Sequence, residues 1–582
     1  MSTTDRQQQI DDAEGLLKDR PKLPSFAKEL FFGRYAADVL PAYPNLASDA
    51  GTTSRVEALR NWVREAVDPV AIDRQAEIPQ AVIDGLGRLG VLGACLPPSA
   101  GGSGLSQTAY CRLIEVLGGH CGSTALFVNA HHSIGPRALV LFGTPAQQQR
   151  WLPKLATGEW LSAFALTEPE AGSDAANVQT TATPAPERGG YLLNGQKRWI
   201  TNGGIASVLT VMARTPTPDG RGAITAFLVT PDMPGFEVVE QRMEKCGVRG
   251  TATSRLAFHD MFVPSENILG TIGKGLKVAL TVLDFGRTTF GASCTGAAKA
   301  CLERAVKHAN TRVQFGQTLG SFELVQQKLA NMAAGIFAME AVTYLTASLI
   351  DADTTDYMVE TAMLKVFTTD TLWKIIDDTF QLHGGKAYFT DEPFERWMRD
   401  ARINTIGEGA NDVLRAFSAL VGMRDVGMEL QAILHAIQHP LGNMGRLRSF
   451  AGRRLGALLA SPTVPVRSDA LEDDAAQLGR LIGQLGSEVE KLLRTYRESV
   501  MDRQLELARI SDAATELFVG AAVLARLDHL LRQQNGKPEL QRSIQAGRHY
   551  LRMSARRIRA NFAALWDNDD EATLGLARGL LG

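Results

Sequence analysis

Apolar residues recur at three- and four-residue spacing over much of the chain, and this spacing predicts amphipathic helices. In the first part of the sequence the pattern predicts helices at 56–67, 79–89, 108–117 and 124–141. The run CLPPSAGGSGLS, between the second and third of these helices, is rich in Pro, Gly and Ser and predicts a loop. We therefore expect a helical domain from about residue 25 onward.

The pattern changes near Leu161, where short runs of β-type residues follow one another. The runs are LSAFALTE, YLLNGQKRWIT, SVLTVMART, AITAFLVT and SRLAFHDMFV, and turns with Gly, Pro or Asp separate them. They predict an all-β domain of about 110 residues that ends near Gly270. Helical spacing then returns at 276–312, 321–351, 356–384 and 408–421, which is typical of a helical bundle.

The last part of the chain is again helical after a polar linker. Residues 461–475, SPTVPVRSDALEDDA, predict the linker, and apolar periodicity at 480–508, 513–533 and 540–565 predicts the helices. We therefore expect a mainly α protein with a central β-domain. Its expected parts are a tail 1–24, an N-terminal helical domain 25–160, a middle β-domain 161–274, a helical bundle 275–435, a linker or amphipathic segment 436–475 and an extra C-terminal helical domain 476–582.

Composition excludes several classes of function. Hydrophobic residues make up 45% and charged residues 21% of the 582 positions, which is typical of a soluble globular protein. A net charge of −2, from 61 basic and 63 acidic residues, argues against nucleic acid as a main partner. The start of the chain lacks an apolar targeting segment, and no run of about 18 apolar residues occurs, so we expect a bacterial-type cytoplasmic location.

Metal binding is not expected. The six cysteines are scattered without a CxxC pair, which indicates reduced thiols. His131 and His132 are adjacent, and adjacent residues point to different sides of a helix, so the pair does not suit one metal ion.

The strongest candidate for chemistry is Glu408. It lies between Gly407 and Gly409 at a predicted helix start, and Asn411 or Asp412 can cap that helix. Glycines let the backbone bring a carboxylate close to a ligand, and in a dry pocket such a carboxylate has a raised pKa and becomes a usable base. A solvated glutamate at a helix end would leave the same local pattern.

Four motifs accompany this glutamate: FALTEPEAGSD at 164–174, WITNGG at 199–204, RVQFG at 312–316 and QLHGG at 381–385. The first offers hydroxyls and backbone N–H groups in a turn, and the second an aromatic wall followed by a hydroxyl. Each also has a purely structural interpretation, such as a β-turn, a buried Trp, a solvated Arg or a glycine helix cap.

The order TEPEAGSD, WITNGG, RVQFG, QLHGG and EGANDVLR resembles the acyl-CoA dehydrogenase family, and most closely its very-long-chain branch. SFAKELFFGRY, HHSIG followed by LFGT, and VPSENILG are further similarities to that branch. The resemblance covers about residues 25–430 in specific motifs and the rest only in length and helical character. It implies an N-terminal helical domain, a β-barrel-like middle domain, a four-helix bundle and an extra C-terminal helical domain.

The resemblance also implies a reaction. An FAD-dependent enzyme of this family oxidises the Cα–Cβ bond of a long-chain acyl-CoA to a trans-2-enoyl-CoA and passes electrons to an electron-transfer flavoprotein. Glu408 matches the base that removes the α-proton, while the β-hydride goes to N5 of FAD. The backbone N–H of the base, together with a flavin hydroxyl, is expected to polarise the thioester oxygen.

Ligand contacts carry over by position. The resemblance implies FAD contacts from Phe164, Leu166, Thr167, Ser173, Trp199 and Thr201. It implies contacts to the FAD of a neighbouring subunit, and hence a homodimer, from Arg312, Gln314, Phe315, Gln381, Gly384 and Gly385. It implies acyl-CoA contacts from Ser173, Asp284, Arg287 and Gly409.

Two positions depart from the family pattern. The aromatic residue that usually precedes the base is Gly407 here, and the Thr that usually stands two positions after it is Ala410. The first change is expected to widen the pocket near the reacting carbons, and the second removes a hydroxyl near the flavin. Neither removes the base.

Other interpretations remain open at this point. An acyl-CoA or nitroalkane oxidase on the same fold would hand electrons to oxygen, and a respiratory-complex assembly protein would keep the fold for scaffolding. Residues 441–459 alternate arginines with apolar residues, which suits either a helix on the inner face of a membrane or a helix packed on the bundle.

Overall fold

A computed structural model describes residues 25–217, 220, 222–353, 356–438, 461–533 and 538–582. Segment 441–459, with its possible membrane contact, lies outside the described residues. The described helices are α1 Phe26–Phe31, α2 Ala50–Ala66, α3 Pro69–Gln75, α4 Gln80–Arg88, α5 Gln107–His120, α6 Gly122–Val128, α7 Gly135–Phe142, α8 Pro145–Thr157, α9 Gly275–Thr311, α10 Glu323–Ala352, α11 Met358–His383, α12 Phe394–Arg402, α13 Asn411–Gln438, α14 Glu472–Tyr496, α15 Gln504–Arg532, α16 Pro538–Ala564 and α17 Asp570–Leu581.

The chain divides into two compact units. The first consists of residues 45–326 and 368–410, and the second of residues 25–44, 327–367 and 411–582 among those described. Every residue to which the sequence assigns chemistry lies in the first unit.

Between the two helical parts of the first unit, in sequence order, lies an eight-stranded sheet, as the change of periodicity predicts. Its strands are β1 Ser162–Ala165, β2 Thr181–Ala185, β3 Gly190–Ile200, β4 Val208–Thr215, β5 Ala223–Val229, β6 Phe236–Glu240, β7 Ser254–Pro264 and β8 Ile268–Leu269. The order is β6-β7-β3-β2-β4-β5-β8, with β1 parallel to β4. Alternate side chains such as Leu193, Leu209 and Phe258 are buried in a core on one face of the sheet.

Helix α9 is the central helix of this unit. All residues from Asp284 to Ala292 are buried, and α5 packs along it. The two helices approach closely, because a side chain at Gly118 would meet the Ser293 carbonyl oxygen at 2.3 Å. A two-residue hairpin follows α9, with strands β9 Val313–Gln314 and β10 Gln317–Thr318.

The helix predicted at 124–141 is not continuous. Helix α6 ends at Val128, a π-helix occupies Asn129–Ile134, and α7 begins at Gly135. The wider π turn changes the direction in which its side chains point, and such turns are frequent at functional sites. Apolar periodicity did not reveal this turn, since all six π-helical residues are buried whatever their polarity.

The second unit is helical. Helix α15 is buried along most of its length and packs against α13, α14 and α16. The helix predicted at 480–508 is wrong in its extent, because α14 ends at Tyr496 and Arg497 has a φ of 49°. A short 3₁₀-helix, Arg497–Asp502, then leads into α15, which runs through the break predicted at 509–512.

One helix in the described part of the chain, α10, has the length and apolar composition needed to cross a membrane. Within its most apolar stretch, 83% of the residues are buried inside the protein, as in the core helix of a compact domain.

Candidate active site

Glu408 lies outside a helix, in a strained backbone conformation. A 3₁₀ turn, Ile403–Thr405, ends where the Gly407 N–H donates to the Ile403 carbonyl at 2.8 Å. Glu408 then has a φ of 56° and Gly409 a φ of 97°. The prediction that the next helix begins at 408 is therefore corrected to Asn411, since consecutive left-handed residues cannot continue a right-handed helix. A non-glycine residue in this region costs energy and is typical of functional sites.

Two residues of the first unit surround the Glu408 carboxylate. Asn129 donates from Nδ2 to Oε1 at 2.9 Å. A Cβ atom on Gly286 of α9 would lie 2.4 Å from Oε2, so only glycine leaves room for the carboxylate there. The hydroxyl of Thr289, one turn along α9, donates to Oδ1 of Asn129.

Arg287 holds the backbone of the same glutamate. Its Nε donates to the Glu408 carbonyl oxygen at 3.3 Å, and its Nη1 pairs with Asp284 Oδ1 at 3.3 Å. Both side chains are buried. The structure thus brings Asp284 and Arg287 to Glu408, the candidate base, and their contact with acyl-CoA remains a prediction.

The segment that leads to Glu408 is anchored by its charged residues. Arg399 makes two hydrogen bonds to the Asp73 carboxylate, at 2.9 and 2.7 Å, and pairs with Glu395. Asp400 accepts from the Val248 N–H at 2.6 Å, and burial raises the pKa of Asp400 to about 6. These contacts join α12 to the N-terminal helices and to a loop of the sheet, and so place the chain just before Glu408.

A buried ion pair holds the first predicted flavin motif. Lys197 Nζ lies 2.6 Å from Glu168 Oε1 and donates to the Leu166 carbonyl at 3.1 Å. Burial lowers the pKa of Lys197 to about 8. Burial also acts to raise the pKa of Glu168, but the Lys197 ammonium and the accepted hydrogen bonds outweigh it and lower that pKa. The N–H of Arg198 donates to the Thr167 carbonyl at 2.9 Å, so the motif lies along β3.

Trp199 is half exposed at an irregular point of β3. Its φ is 59°, the pairing with β7 shifts between Lys197 and Ile200, and 53% of the residue is exposed. The Nδ2 of Asn202 donates to the Phe127 carbonyl at 3.2 Å. The turn that begins after Trp199 and contains Thr201 therefore contacts the end of α6 at Phe127. Phe127 is two residues before Asn129 in the sequence.

The remaining residues of the first motif lie in or after β1. Phe164 is in the strand, and Phe164 and Leu166 are partly buried against an apolar cluster. Ser173 is exposed in a loop where a Cβ on the neighbouring Gly172 would meet no atom within 4 Å. This loop leaves its backbone open to a ligand.

The third and fourth motifs meet at the far end of α9. The rings of His308 and His383 stack with centroids 4.3 Å apart, which brings the ends of α9 and α11 together. Arg312 directly follows α9, Gln314 lies in β9, and Phe315 at the hairpin turn is 94% exposed. Gln381 is exposed near the end of α11.

Two glycines follow α11. Gly384 has a φ of 60°, which agrees with the helix-cap interpretation. Neither a positive φ nor a close neighbour explains Gly385. Among the described residues nothing therefore requires glycine at 385, and its backbone is open to an external group.

The two adjacent histidines have structural roles. His131 contacts the Leu155 carbonyl and the Ser162 N–H, each at 3.1 Å, while His132 accepts from the Cys95 N–H at 3.1 Å. Burial lowers the pKa of His131 to about 4 and that of His132 well below its usual value, so both are neutral. Within the described ranges, no group of three or more His, Cys, Asp or Glu could hold a metal.

Sequence reasoning did not find five residues of the site: Asn129, Glu168, Lys197, Gly286 and Thr289. Glu168 lies inside the first quoted motif, and Lys197 lies in the predicted strand YLLNGQKRWIT, where its polar neighbours Gln196 and Arg198 gave no sign that it is buried. Asn129 and Gly286 carry no local signal, because their importance comes from a contact with Glu408.

Four family models match the chain. They are "Acyl-CoA dehydrogenase, N-terminal domain" at residues 53–159, "middle domain" at 163–261, "C-terminal domain" at 273–421 and "ACAD9/ACADV, C-terminal domain" at 469–575. The chain belongs to the acyl-CoA dehydrogenase family. This confirms the resemblance and the expected architecture, including the extra C-terminal helical domain.

Individual acyl-CoA dehydrogenases are similar along nearly the whole chain. The "Very long-chain specific acyl-CoA dehydrogenase, mitochondrial" of Homo sapiens is 36% identical over 93% of this chain and 84% of its own length. The "Probable acyl-CoA dehydrogenase FadE10" of Mycobacterium bovis is 34% identical over 96% of this chain and 88% of its own length. A crystal structure of an acyl-CoA dehydrogenase complexed with FAD from Bacillus anthracis has 28% identity and a TM-score of 0.79, and covers 93% of this chain and 92% of that one.

Proposed function

We propose that this acyl-CoA dehydrogenase uses FAD to oxidise the Cα–Cβ bond of a long-chain fatty acyl-CoA to a trans-2-enoyl-CoA, with Glu408 as the base. The environment of Glu408 carries this proposal. Its carboxylate lies against Gly286, its backbone carbonyl is held by Arg287, and the chain before it is anchored by Arg399. A general base needs such a fixed position close to the proton that it removes.

The residues around Trp199 fit a flavin. An indole that is 53% exposed, between the buried Lys197 and Ile200, offers a flat face for a ring system. The first flavin motif lies next to this indole. Its backbone is open at Gly172, and the buried ion pair between Lys197 and Glu168 holds it in place beside Thr167. The bound flavin supplies the acceptor for the hydride that leaves the β-carbon. The chain's own contribution is to remove the α-proton at Glu408, so that the two hydrogens of the Cα–Cβ bond leave as a proton and a hydride.

The coenzyme A end of the substrate suits a cationic cavity at the start of α9. Arg214, Lys274 and Lys277 line this cavity together with the backbone of Gly273. Basic side chains at the N-terminus of a long helix favour phosphate groups. An α-helix rises about 1.5 Å per residue, so Lys277 and Gly286 lie about 13 Å apart along α9, a distance that the extended pantetheine arm can span.

A second cavity begins beside the base and suits the acyl chain. Asn129 and Thr289 line it near Glu408, and mostly apolar side chains such as Leu126, Phe290 and Ile376 line the rest. Gly407 also leaves space, since a Cβ there would have the Ile403 carbonyl oxygen, at 3.6 Å, as its nearest contact. Together with the similarity to very-long-chain enzymes, these features support a long acyl substrate.

A second copy of the chain would complete the flavin site. Phe315, Tyr388 and Phe389 are 94%, 76% and 65% exposed at the end where the third and fourth motifs meet. Exposed aromatic residues of this size are typical of protein interfaces. We expect a homodimer in which Arg312 and Gln381 reach the partner's FAD, and an electron-transfer flavoprotein as electron acceptor.

In the first test the purified holoenzyme is mixed anaerobically with palmitoyl-CoA and, separately, with butyryl-CoA. The visible absorbance of the oxidised flavin is recorded during each reaction. Bleaching by palmitoyl-CoA is the expected result. Bleaching by neither substrate would contradict the proposed reaction. Rapid reoxidation in air, without an electron-transfer flavoprotein, would instead identify an oxidase.

The Glu408→Gln variant tests the base. It should keep its FAD and bind acyl-CoA, but flavin reduction should slow about 10²- to 10⁴-fold, the usual contribution of a general base. The variant Asp412→Asn is a control, because the Asp412 side chain is fully exposed. Undiminished reduction by Glu408→Gln would exclude Glu408 as the base.

A further inference from the structure

Asn129 contacts the candidate base although it lies far from it in the sequence. It is the first residue of the π-helix, is almost fully buried and donates to Glu408 Oε1 at 2.9 Å. The wide π turn directs this side chain at the carboxylate, while His131 and His132 in the same turn face other elements.

The orientation of the Asn129 amide follows from its two neighbours. An ionised carboxylate only accepts hydrogen bonds, so the NH₂ group must face Glu408. The amide oxygen then faces Thr289, whose hydroxyl donates to it. The Ser133 hydroxyl lies 3.3 Å from the Thr289 hydroxyl and extends the chain of polar contacts through buried surroundings. The amide is therefore held on both sides.

We propose that Asn129 is a positioning residue for Glu408, which keeps the carboxylate ionised and turned toward the α-carbon of the substrate. This inference rests on the proposed role of Glu408 as the base. A hydrogen bond donated to a carboxylate stabilises its charged form, and it opposes the effect of a dry, acyl-filled pocket. It also restricts rotation of the carboxylate at no reorganisation cost during the reaction.

Other charged groups of the first unit near this site are already engaged. On α9, Arg287 pairs with Asp284 and holds the Glu408 carbonyl. On α7, Arg137 lies over the Phe285 ring at 4.4 Å, and on α12, Asp400 accepts from the Val248 N–H. Burial keeps His131 and His132 neutral. Asn129, by contrast, is neutral and donates directly to the carboxylate.

The test is the pH dependence of flavin reduction by palmitoyl-CoA in single turnovers. Asn129→Leu keeps the volume but removes the donor, so the midpoint of the profile should rise by about one to two pH units. Asn129→Asp should raise it further, since two carboxylates would then face each other. Thr289→Val should raise it less, since it loosens the amide only indirectly.

The matched control is Asn267→Leu. Asn267 is also buried and donates to a backbone carbonyl, that of Leu228, at 2.8 Å, away from Glu408. Its profile should keep the wild-type midpoint even if its stability falls. FAD content should be unchanged in Asn129→Leu. Because Asn129 also lines the proposed acyl cavity, the profiles are measured at saturating palmitoyl-CoA, which separates positioning from binding.

Two results would overturn the proposal, and they are distinguishable. If the wild-type flavin is reduced but Asn129→Leu and Thr289→Val have the wild-type midpoint, Asn129 does not position the base. If no acyl-CoA reduces the wild-type flavin, the proposed function fails and the role of Asn129 fails with it.

Discussion

The carboxylate of Glu408 lies against the backbone of Gly286, where a Cβ atom would be 2.4 Å from Oε2 and 3.0 Å from Cδ. Because α9 is buried on every side from Asp284 to Ala292, the helix cannot move away to make room. Gly286 therefore limits the position of the proposed base, although glycine lowers the intrinsic stability of a helix interior.

Gly286→Ala should displace the Glu408 carboxylate by about 1 Å, and a misplacement of that size lowers a catalytic rate about 10²-fold. The rate of flavin reduction by palmitoyl-CoA checks this. The matched control is Gly427→Ala, because Gly427 is also in a helix, α13, but a Cβ there meets no atom within 4 Å. That control should leave the rate of flavin reduction unchanged, and it should leave the free energy of unfolding unchanged or raise it. Equal rates for Gly286→Ala and the wild type would show that the carboxylate does not depend on this space.

Lys274→Glu and Lys277→Glu should each raise the Michaelis constant for palmitoyl-CoA about 10- to 100-fold, because each replaces a cation at the proposed phosphate site by an anion. Palmitoyl-pantetheine, which lacks the nucleotide, is the control substrate, and both variants should use it as well as the wild type does. A similar loss with both substrates would place the nucleotide elsewhere.

Lys197→Met should destabilise the protein by about 3–5 kcal/mol, since it leaves the buried Glu168 carboxylate without its cation. The double variant Glu168→Gln with Lys197→Met should lose less, because it buries no unpaired charge. Urea denaturation of the two single variants, Lys197→Met and Glu168→Gln, and of the double variant measures the free energies of unfolding. If the double variant is destabilised by the sum of the two single changes, the pair does not act as a unit.

Glu360, in the second unit, should make stability depend on pH. It is buried, it accepts from the Ser25 hydroxyl at 2.7 Å and from the Ala27 N–H at 2.9 Å, and burial raises its pKa from 4.5 to about 7. Between these values the folded state binds the proton more tightly than the unfolded state. The contribution of this group to stability is therefore full below pH 4.5 and falls as the pH rises to about 7.

Glu360→Gln removes that titration. Relative to the wild type it should gain stability between pH 5 and pH 8, by up to roughly 3 kcal/mol. Melting temperatures of both proteins at these two pH values provide the measurement. If the melting temperatures of the two proteins differ by the same amount at both pH values, Glu360 does not titrate in this range.

Local pattern predicted much of the architecture and one part of the site. The change from helical spacing to alternating runs located the sheet, and the flanking glycines singled out Glu408 as the candidate base. The left-handed backbone of Glu408, with a φ of 56°, was not predicted, because the pattern placed this residue at the start of a helix. The predictions of helix ends were less accurate. The break at Arg497 and the π turn at Asn129 fall within continuous apolar periodicity, so only the packing of neighbouring helices reveals them.

Residue spacing and glycine placement thus specify the elements of this chain, because backbone preferences and the burial of one helix or strand face act over a few residues. The surroundings of Glu408 are specified only in the folded chain. Asn129 is 279 residues before Glu408 in sequence, yet the two side chains share a hydrogen bond. Contacts over such separations depend on how helices pack, and packing is a property of the whole core rather than of any short stretch of sequence.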